Sequence, residues 1–311
     1  MSSLSSPSLL QQAQSFLDPL LPPPSSTPTN PSSNPSKPFL TLTYAQSLDS
    51  KIALRGRPLS LSGKESLVLT HLMRARHDAI LVGVGTVLVD DPQLNVRLLP
   101  PSTPTSTIST SPSPLSTPTP TNPSPSPALP SWPSPRPVIL DPHLRLPSHS
   151  RLLTNLAQGA VQPWIICAAL ELPDPAHPEL KGRKAALSEL GAEVFEVPLL
   201  ADGHLSLPAV LDLLYSKGIQ SLMVEGGQRV ITSFLASGLI DLLIVTVAPI
   251  LVGPAGIGFV RESPLGTGTG GVAGGAGGAG EELPWGKMRG VATQVFGRDA
   301  VMALIPHGVD P

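Results

Sequence analysis

From Asp78 to Arg97 the chain reads D-A-I-L-V-G-V-G-T-V-L-V-D-D-P-Q-L-N-V-R. An apolar run enters a glycine turn, then presents a hydroxyl (Thr86), paired carboxylates (Asp90, Asp91), a proline stop and a guanidinium (Arg97). Open α/β sheets bind their ligands in the crevice at strand ends, where such groups gather with backbone N–H donors. This is the chemistry of a small-molecule enzyme. Blander readings stand beside it. An Asx-turn before Pro92 explains one of the two aspartates. Arg97 can pair a phosphate through two parallel bonds or be a solvated surface residue. Thr86 and Asp90 are expected on a loop after the glycines, within reach of a ribose or an amide.

Two further groupings offer chemistry. In L-M-V-E-G-G-Q-R-V, ending at Val230, an apolar strand runs into Glu225, Gly226 and Gly227 and then a helix. Glycines let a phosphate approach the backbone, and a helix N-terminus supplies free N–H groups and a favourable dipole. An ordinary tight turn is the alternative, and it rarely needs two glycines. Glu225 can accept from a substrate N–H or O–H, or cap the helix. In Y-A-Q-S-L-D-S-K, Ser47, Asp49 and Lys51 put a hydroxyl, an acid and a base at the end of the first strand, or merely form its exit. Arg74 and Arg76 end the helix before Asp78, where a cation against the helix C-terminus is the first reading and anion binding the second. Gly266, Gly268 and Gly271 match G-x-G-x-x-G by letter, but no strand precedes them and no helix follows, so the dinucleotide fingerprint fails its structural test. The seven histidines lack ligand spacing, and without H-x-E and P-C-x-x-C a zinc deaminase is excluded. No metal site is expected.

These groups need elements to carry them. Residues 39–45 alternate apolar and hydroxyl side chains and read as a strand. Ser62 and Glu65 resemble a capping box opening a helix to Arg76. Strands follow at 79–84, 137–140, 164–168, 193–197, 221–224 and 241–251, with helices at 181–190, 208–217 and 228–236. Residues 291–296 and 300–305 form a final hairpin. Strands alternating with helices specify α/β, a mostly parallel sheet covered on both faces with an antiparallel end.

Composition sets the frame. The 39 prolines and 28 glycines concentrate in a few stretches. Residues 1–36 are rich in Ser and Pro, with room for a short amphipathic helix within 9–21. Residues 101–131 are nearly all Pro, Ser and Thr, too poor in apolar surface to offset their ordering entropy. Residues 266–280 read as a glycine linker. One domain over 37–308 is expected, interrupted by insertions at 100–135 and 263–284. A net charge of −2 gives no basic field for nucleic acid. The single cysteine, Cys167, rules out an internal disulfide and sits in an apolar run where a buried structural thiol is expected. With no basic n-region, no secretory signal is read, and the apolar run at 242–252 is too short to span a bilayer. Cytoplasmic localisation is expected. An adaptor role for the Pro-rich stretch would need PxxP units flanked by basic residues, and 101–131 contains no Arg or Lys.

Four blocks together, T-L-T-Y-A-Q-S-L-D-S-K-I-A, G-T-V-L-V-D-D-P-x-L-x-V-R, P-R-P-V-I-L-D and M-V-E-G-G, resemble the reductases of riboflavin biosynthesis. The likeness is to the fungal and archaeal 2,5-diamino-6-ribosylamino-4(3H)-pyrimidinone 5′-phosphate reductases and to the reductase half of the bacterial deaminase–reductase. It implies a dihydrofolate-reductase-like fold, a homodimer and NADPH as hydride donor. It implies a phosphorylated ribosylaminopyrimidine as substrate, reduced at the sugar C1′ to the ribitylamino product. Carried onto matching positions, it implies NADPH contacts at Thr86, Asp90, Gly226, Gly227, Gln228 and Arg229. Substrate contacts are implied at Ser47, Arg74, Leu94, Arg97 and Glu225, the sugar phosphate meeting Arg74 and Arg97. Asp49 and Lys51 are candidates for proton handling. Another pteridine- or folate-type reductase on the same fold is the competing assignment.

Overall fold

The computed structural model describes residues 8–22, 37–54, 59–100, 132–169, 179–258 and 288–307. The glycine-rich insertion, with Gly266, Gly268 and Gly271, and the Pro/Ser/Thr stretch 101–131 lie outside the described residues.

Short apolar runs become strands buried on both faces, as parallel sheets require. The strands are β1 (Phe39–Ser47), β2 (Lys51–Leu54), β3 (Ala79–Gly83), β4 (Arg136–Leu140), β5 (Trp164–Ala168), β6 (Glu193–Val197), β7 (Ser221–Glu225), β8 (Leu242–Ala248), β9 (Gly256–Gly258), β10 (Met288–Phe296) and β11 (Asp299–Pro306). Helices are α1 (Leu9–Leu17), α2 (Lys64–Ala75), α3 (Val84–Asp90), α4 (Arg151–Thr154), α5 (Leu180–Glu189), α6 (Leu207–Ser216) and α7 (Gln228–Ser237). Among the described residues nine strands form one sheet in the order β10-β11-β8-β1-β7-β3-β4-β5-β6, and β2 pairs with β9 in a second. β8 through β6 run parallel, while β11 and β10 close one edge antiparallel. The expected fold class is thus the observed one.

Three apolar clusters hold the layers. On one face α6 and α7 bury Leu211, Leu214, Ile231 and Phe234 against Leu40, Leu81 and Leu222. On the other, Val84 and Val87 of α3 pack with Ile80, Ile139 and Ile165. The same face carries α2, whose Leu69, Leu72 and Met73 join Met223 and Ile244. Helix α1, read as part of an extension ahead of the domain, contributes Ala13, Phe16 and Leu17 to that third cluster. The Phe16 ring meets Phe296 edge-on with centroids 5.6 Å apart. Among the described residues no helix is long and apolar enough to cross a membrane.

Three local expectations are corrected. Thr86 and Asp90 sit on helix α3 and not on a loop, because burying Val84 and Val87 outweighs the weak helix propensity of V-G-T-V-L-V-D. β2, β9 and α4 were not expected; each is only three or four residues long. Finally, Ser62 does not cap α2. Gly63 is the N-cap, without a side-chain cap of its own. The acceptor comes from the far hairpin, where Asp299 Oδ2 accepts from the Gly63 N–H at 2.6 Å and from the Ser66 hydroxyl. Asp299 is fully buried. Asp299→Ala leaves both donors orphaned and is expected to cost about 2 kcal/mol in urea unfolding. An alanine variant with the wild-type midpoint would show the cap to be idle.

Among the described residues the base of the 101–131 stretch is closed by the Trp132 indole N–H donating to the Pro100 carbonyl at 2.7 Å and by the Val96 N–H donating to the Ser134 hydroxyl at 3.1 Å. Deleting 101–131 is therefore expected to leave turnover nearly unchanged. Lost turnover in a folded deletion variant would give the segment a part in catalysis.

Candidate active site

β3 and β7 are hydrogen-bonded neighbours, yet the helices that follow them leave to opposite faces of the sheet. That divergence opens a crevice at the C-terminal strand ends, the place where open α/β sheets bind ligands. The glycines of both turns are pressed into it. A Cβ on Gly83 would stand 2.9 Å from Val230 Cγ2, and one on Gly226 would stand 2.7 Å from Val230 Cβ. A Cβ on Gly227 would lie 2.9 Å from Thr86 Oγ1. Sequence-distant Thr86 and Gly227 are thereby brought together. Gly227 is the N-cap of α7 and offers no side-chain acceptor. The first intrahelical bond runs from the Ile231 N–H to the Gly227 carbonyl. The N–H groups of Gln228, Arg229 and Val230 are left without intrahelical partners, as at any helix start.

Gln228 and Arg229 differ in what they have free. The Gln228 side chain donates to the Gly258 carbonyl at 2.7 Å, tying the start of α7 to β9. Arg229 is exposed. Asp90 is the last residue of α3, and partial desolvation of its carboxyl raises its pKa from the usual value. Its neighbour Asp91 accepts from the Arg151 N–H at 2.9 Å, which explains the second aspartate as an acceptor for the first turn of α4.

Across the crevice, Arg74 and Glu225 form a two-pronged ion pair, Nε to Oε1 at 2.8 Å and Nη2 to Oε2 at 2.6 Å. The remaining arm, Nη1, donates to the Asn95 carbonyl at 3.2 Å. Burial works against the Arg74 charge, but Glu225 beside it prevails and raises its pKa above the usual value. Arg74 is thus not chiefly a helix-end cation. Its guanidinium anchors the carboxylate just before the glycine turn.

Arg97 is exposed, with Nη1 on Asn95 Oδ1 at 3.0 Å. Its pKa is lowered by burial first and then by the positive charges of Arg74 and Arg151. Arg151 also pairs with Asp91 at 3.7 Å, so three guanidinium groups share two carboxylates, Glu225 and Asp91, and the surplus positive charge favours an added anion. Arg151 was missed from sequence; it is the first residue of α4, a four-residue helix that the sequence reading did not recognise. Leu94 is 2% exposed, with its side chain in the core and φ at +52°, so that side chain is packed inside and does not line the crevice.

The third grouping is built differently. Ser47 is fully buried, donating to Asp49 Oδ1 at 2.6 Å and accepting from the Lys51 N–H at 2.9 Å. Asp49 also accepts from the N–H groups of Val252 and Gly253 at 3.0 and 2.7 Å. The Ser47 hydroxyl, then those two N–H groups, lower its pKa to about 2. A carboxyl so held is ionised at neutral pH and is no proton donor there. Its depressed pKa means that the turn it ties is supported above the unfolded pKa and loses that support as pH falls toward 2. Thr43 is the β1 residue paired with Glu225, and Ser47 lies four residues beyond it. Among the described residues this turn fastens to the segment after β8 and not to the Arg74–Glu225 pair. Cys167 is buried, its thiol pushed up to about 11 by burial, consistent with a packed and unreactive sulfur.

A family described as the RibD C-terminal domain matches residues 38–266. A 2,5-diamino-6-ribosylamino-4(3H)-pyrimidinone 5′-phosphate reductase of Debaryomyces hansenii is 34% identical over 74% of this chain and 81% of its own length. The riboflavin biosynthesis reductase Rib7 of Saccharomyces cerevisiae superposes with a TM-score of 0.58 at 22% identity, over 94% of this chain and 98% of that one. RibD of Acinetobacter baumannii superposes with a TM-score of 0.60 at 21% identity, over 87% of this chain. This chain spans only 58% of that protein. The two structures establish likeness of fold, the dihydrofolate-reductase-like arrangement expected from the resemblance.

Proposed function

The chain belongs to the RibD C-terminal domain family, and on that premise we propose that it is an NADPH-dependent reductase of riboflavin biosynthesis. Its substrate is 2,5-diamino-6-(5-phosphoribosylamino)pyrimidin-4(3H)-one, and its product is the ribitylamino compound. The observation that carries this reading is the meeting of Thr86 and the Gly226-Gly227 turn at the β3–β7 divergence, beside the cluster Arg74, Arg97 and Arg151.

The residues fit a dinucleotide. Gly226 and Gly227 let the start of α7 pack closely on Val230 and Thr86, which stand where their side chains would go, and so set that helix start beside α3. The unpaired N–H groups of α7 suit a pyrophosphate. Thr86 and Asp90 on α3 offer a hydroxyl and a carboxylate for a ribose or amide. Arg229, exposed at the same helix start, offers a cation to a phosphate. When bound, the cofactor supplies the hydride that reduces C1′ of the opened ribosylamine.

The chain orients the acceptor. Arg97 and Arg151 hold the sugar phosphate, and Glu225, immobilised by Arg74, presents fixed oxygens to the pyrimidine or ribose. Orientation of two bound reactants away from water supplies most of the acceleration in this reading. With Asp49 ionised and Ser47 engaged by it, the proton is supplied by substrate or solvent.

The same reading has the enzyme work as a homodimer in the cytoplasm, which sedimentation velocity and localisation imaging test. The decisive assay is steady-state NADPH oxidation with the ribosylaminopyrimidine phosphate against dihydrofolate. Turnover is expected with the former, and a preference for dihydrofolate overturns the assignment.

A further inference from the structure

We propose that His71 is a positioning residue for the substrate phosphate: its imidazole, on α2, holds the backbone of Arg97 in the loop after α3, so that the guanidinium is set for the anion. The proposal rests on the reading of Arg97 as a phosphate ligand. His71 is 2% exposed, on α2, three residues before Arg74. Its Nδ1 lies 3.1 Å from the Arg97 backbone nitrogen. That nitrogen can only donate, so Nδ1 must accept and the ring must be neutral, with its proton on Nε2. Burial, then the charges of Arg74 and Arg97, push its pKa down to about 3, keeping it in that form at neutral pH.

His71 is one of three side chains that pin consecutive backbone groups of the Arg97 loop. Arg74 Nη1 bonds the Asn95 carbonyl at 3.2 Å, Ser134 Oγ accepts from the Val96 N–H at 3.1 Å, and His71 takes the Arg97 N–H. Asn95 in turn accepts from the Arg97 guanidinium at 3.0 Å. The loop enters this clamp through Leu94, whose φ of +52° is unfavourable for a leucine and persists only where the surroundings impose it. An apolar side chain would fill the space at His71 without the penalty of burying an imidazole. What the ring adds is direction: an acceptor aimed at one N–H of the residue that meets the substrate.

Three variants separate the acceptor from mere bulk. Asn places its carbonyl oxygen close to the position of Nδ1, Gln places it nearer that of Nε2, and Leu has none. Steady-state constants are measured for the ribosylaminopyrimidine phosphate and for NADPH, alone and in an Arg97→Ala background, with melting temperatures alongside. His71→Leu and His71→Gln are expected to raise the substrate KM about tenfold, the factor one lost hydrogen bond of this kind removes. Their NADPH constant and kcat should change little, His71→Asn should stay near wild type, and His71→Leu should add nothing once Arg97 is alanine. Should the leucine variant fail to fold, the Asn–Gln pair decides. An equal KM rise in the folded Asn and Gln variants overturns the proposal, as does a His71 effect that persists undiminished without Arg97. If Arg97→Ala itself leaves the substrate KM unchanged, the phosphate reading fails first and the role of His71 with it.

Discussion

Glu225→Ala is expected to lose about 3 kcal/mol of stability, since it strands the Arg74 guanidinium, a charge whose residue is only 9% exposed. The arm of Arg74 that holds the Asn95 carbonyl then loses its fixed base, and the Arg97 loop loses register with the glycine turn. A fall in kcat/KM of about 100-fold is expected, the scale of misplacing a bound reactant by an ångström. Urea unfolding and steady-state kinetics read the two effects separately. Arg74→Leu combined with Glu225→Leu supplies the contrast: stability should recover much of the loss, because no lone charge remains buried, while activity should not. Recovered activity in that double variant would reduce the ion pair to a fastening.

Gly226→Ala is expected to weaken NADPH binding about 100-fold, the penalty of displacing a built site by an ångström. Its new methyl would stand 2.7 Å and 2.8 Å from Val230 and 3.2 Å from the Ile231 backbone nitrogen. A side chain can turn aside, but that nitrogen belongs to the first turn of α7, so the helix start must shift. Gly227→Ala meets only the Thr86 hydroxyl at 2.9 Å, which can rotate, and should weaken binding less. Fluorescence titration with NADPH orders the two variants, with circular dichroism confirming the fold. Unchanged affinity in Gly226→Ala would remove the glycine turn from the cofactor site.

What the sequence made legible follows the range of the interactions. Apolar runs such as W-I-I-C-A and A-I-L-V, punctuated by glycines, specified the parallel strands, because a strand buried on both faces needs little beyond continuous hydrophobicity. The Glu225-Gly226-Gly227 turn was visible because its steric requirement is local. The Thr86–Asp90 helix was not, since its β-branched and glycine residues argue against helix and only contacts with Ile80 and Ile139 decide for it. The α2 cap was hidden for a plainer reason. Asp299 lies 236 residues from Gly63, and the local Ser62–Glu65 pattern gave a sufficient but mistaken explanation. Arg74 and Glu225, 151 residues apart, were each named as candidates, but their bond to one another was not foreseen. His71 gave no signal at all, because a lone histidine on an apolar helix face reads as packing.

The indole that closes the base of residues 101–131 makes this corner of the protein a natural splice point. With Pro100 and Trp132 already clasped, the ends of any foreign segment are held together by the host, and chain entropy grows only with the logarithm of length, about 0.6 kcal/mol per doubling. A reporter domain mounted between Pro100 and Trp132 is therefore expected to cost the fold little.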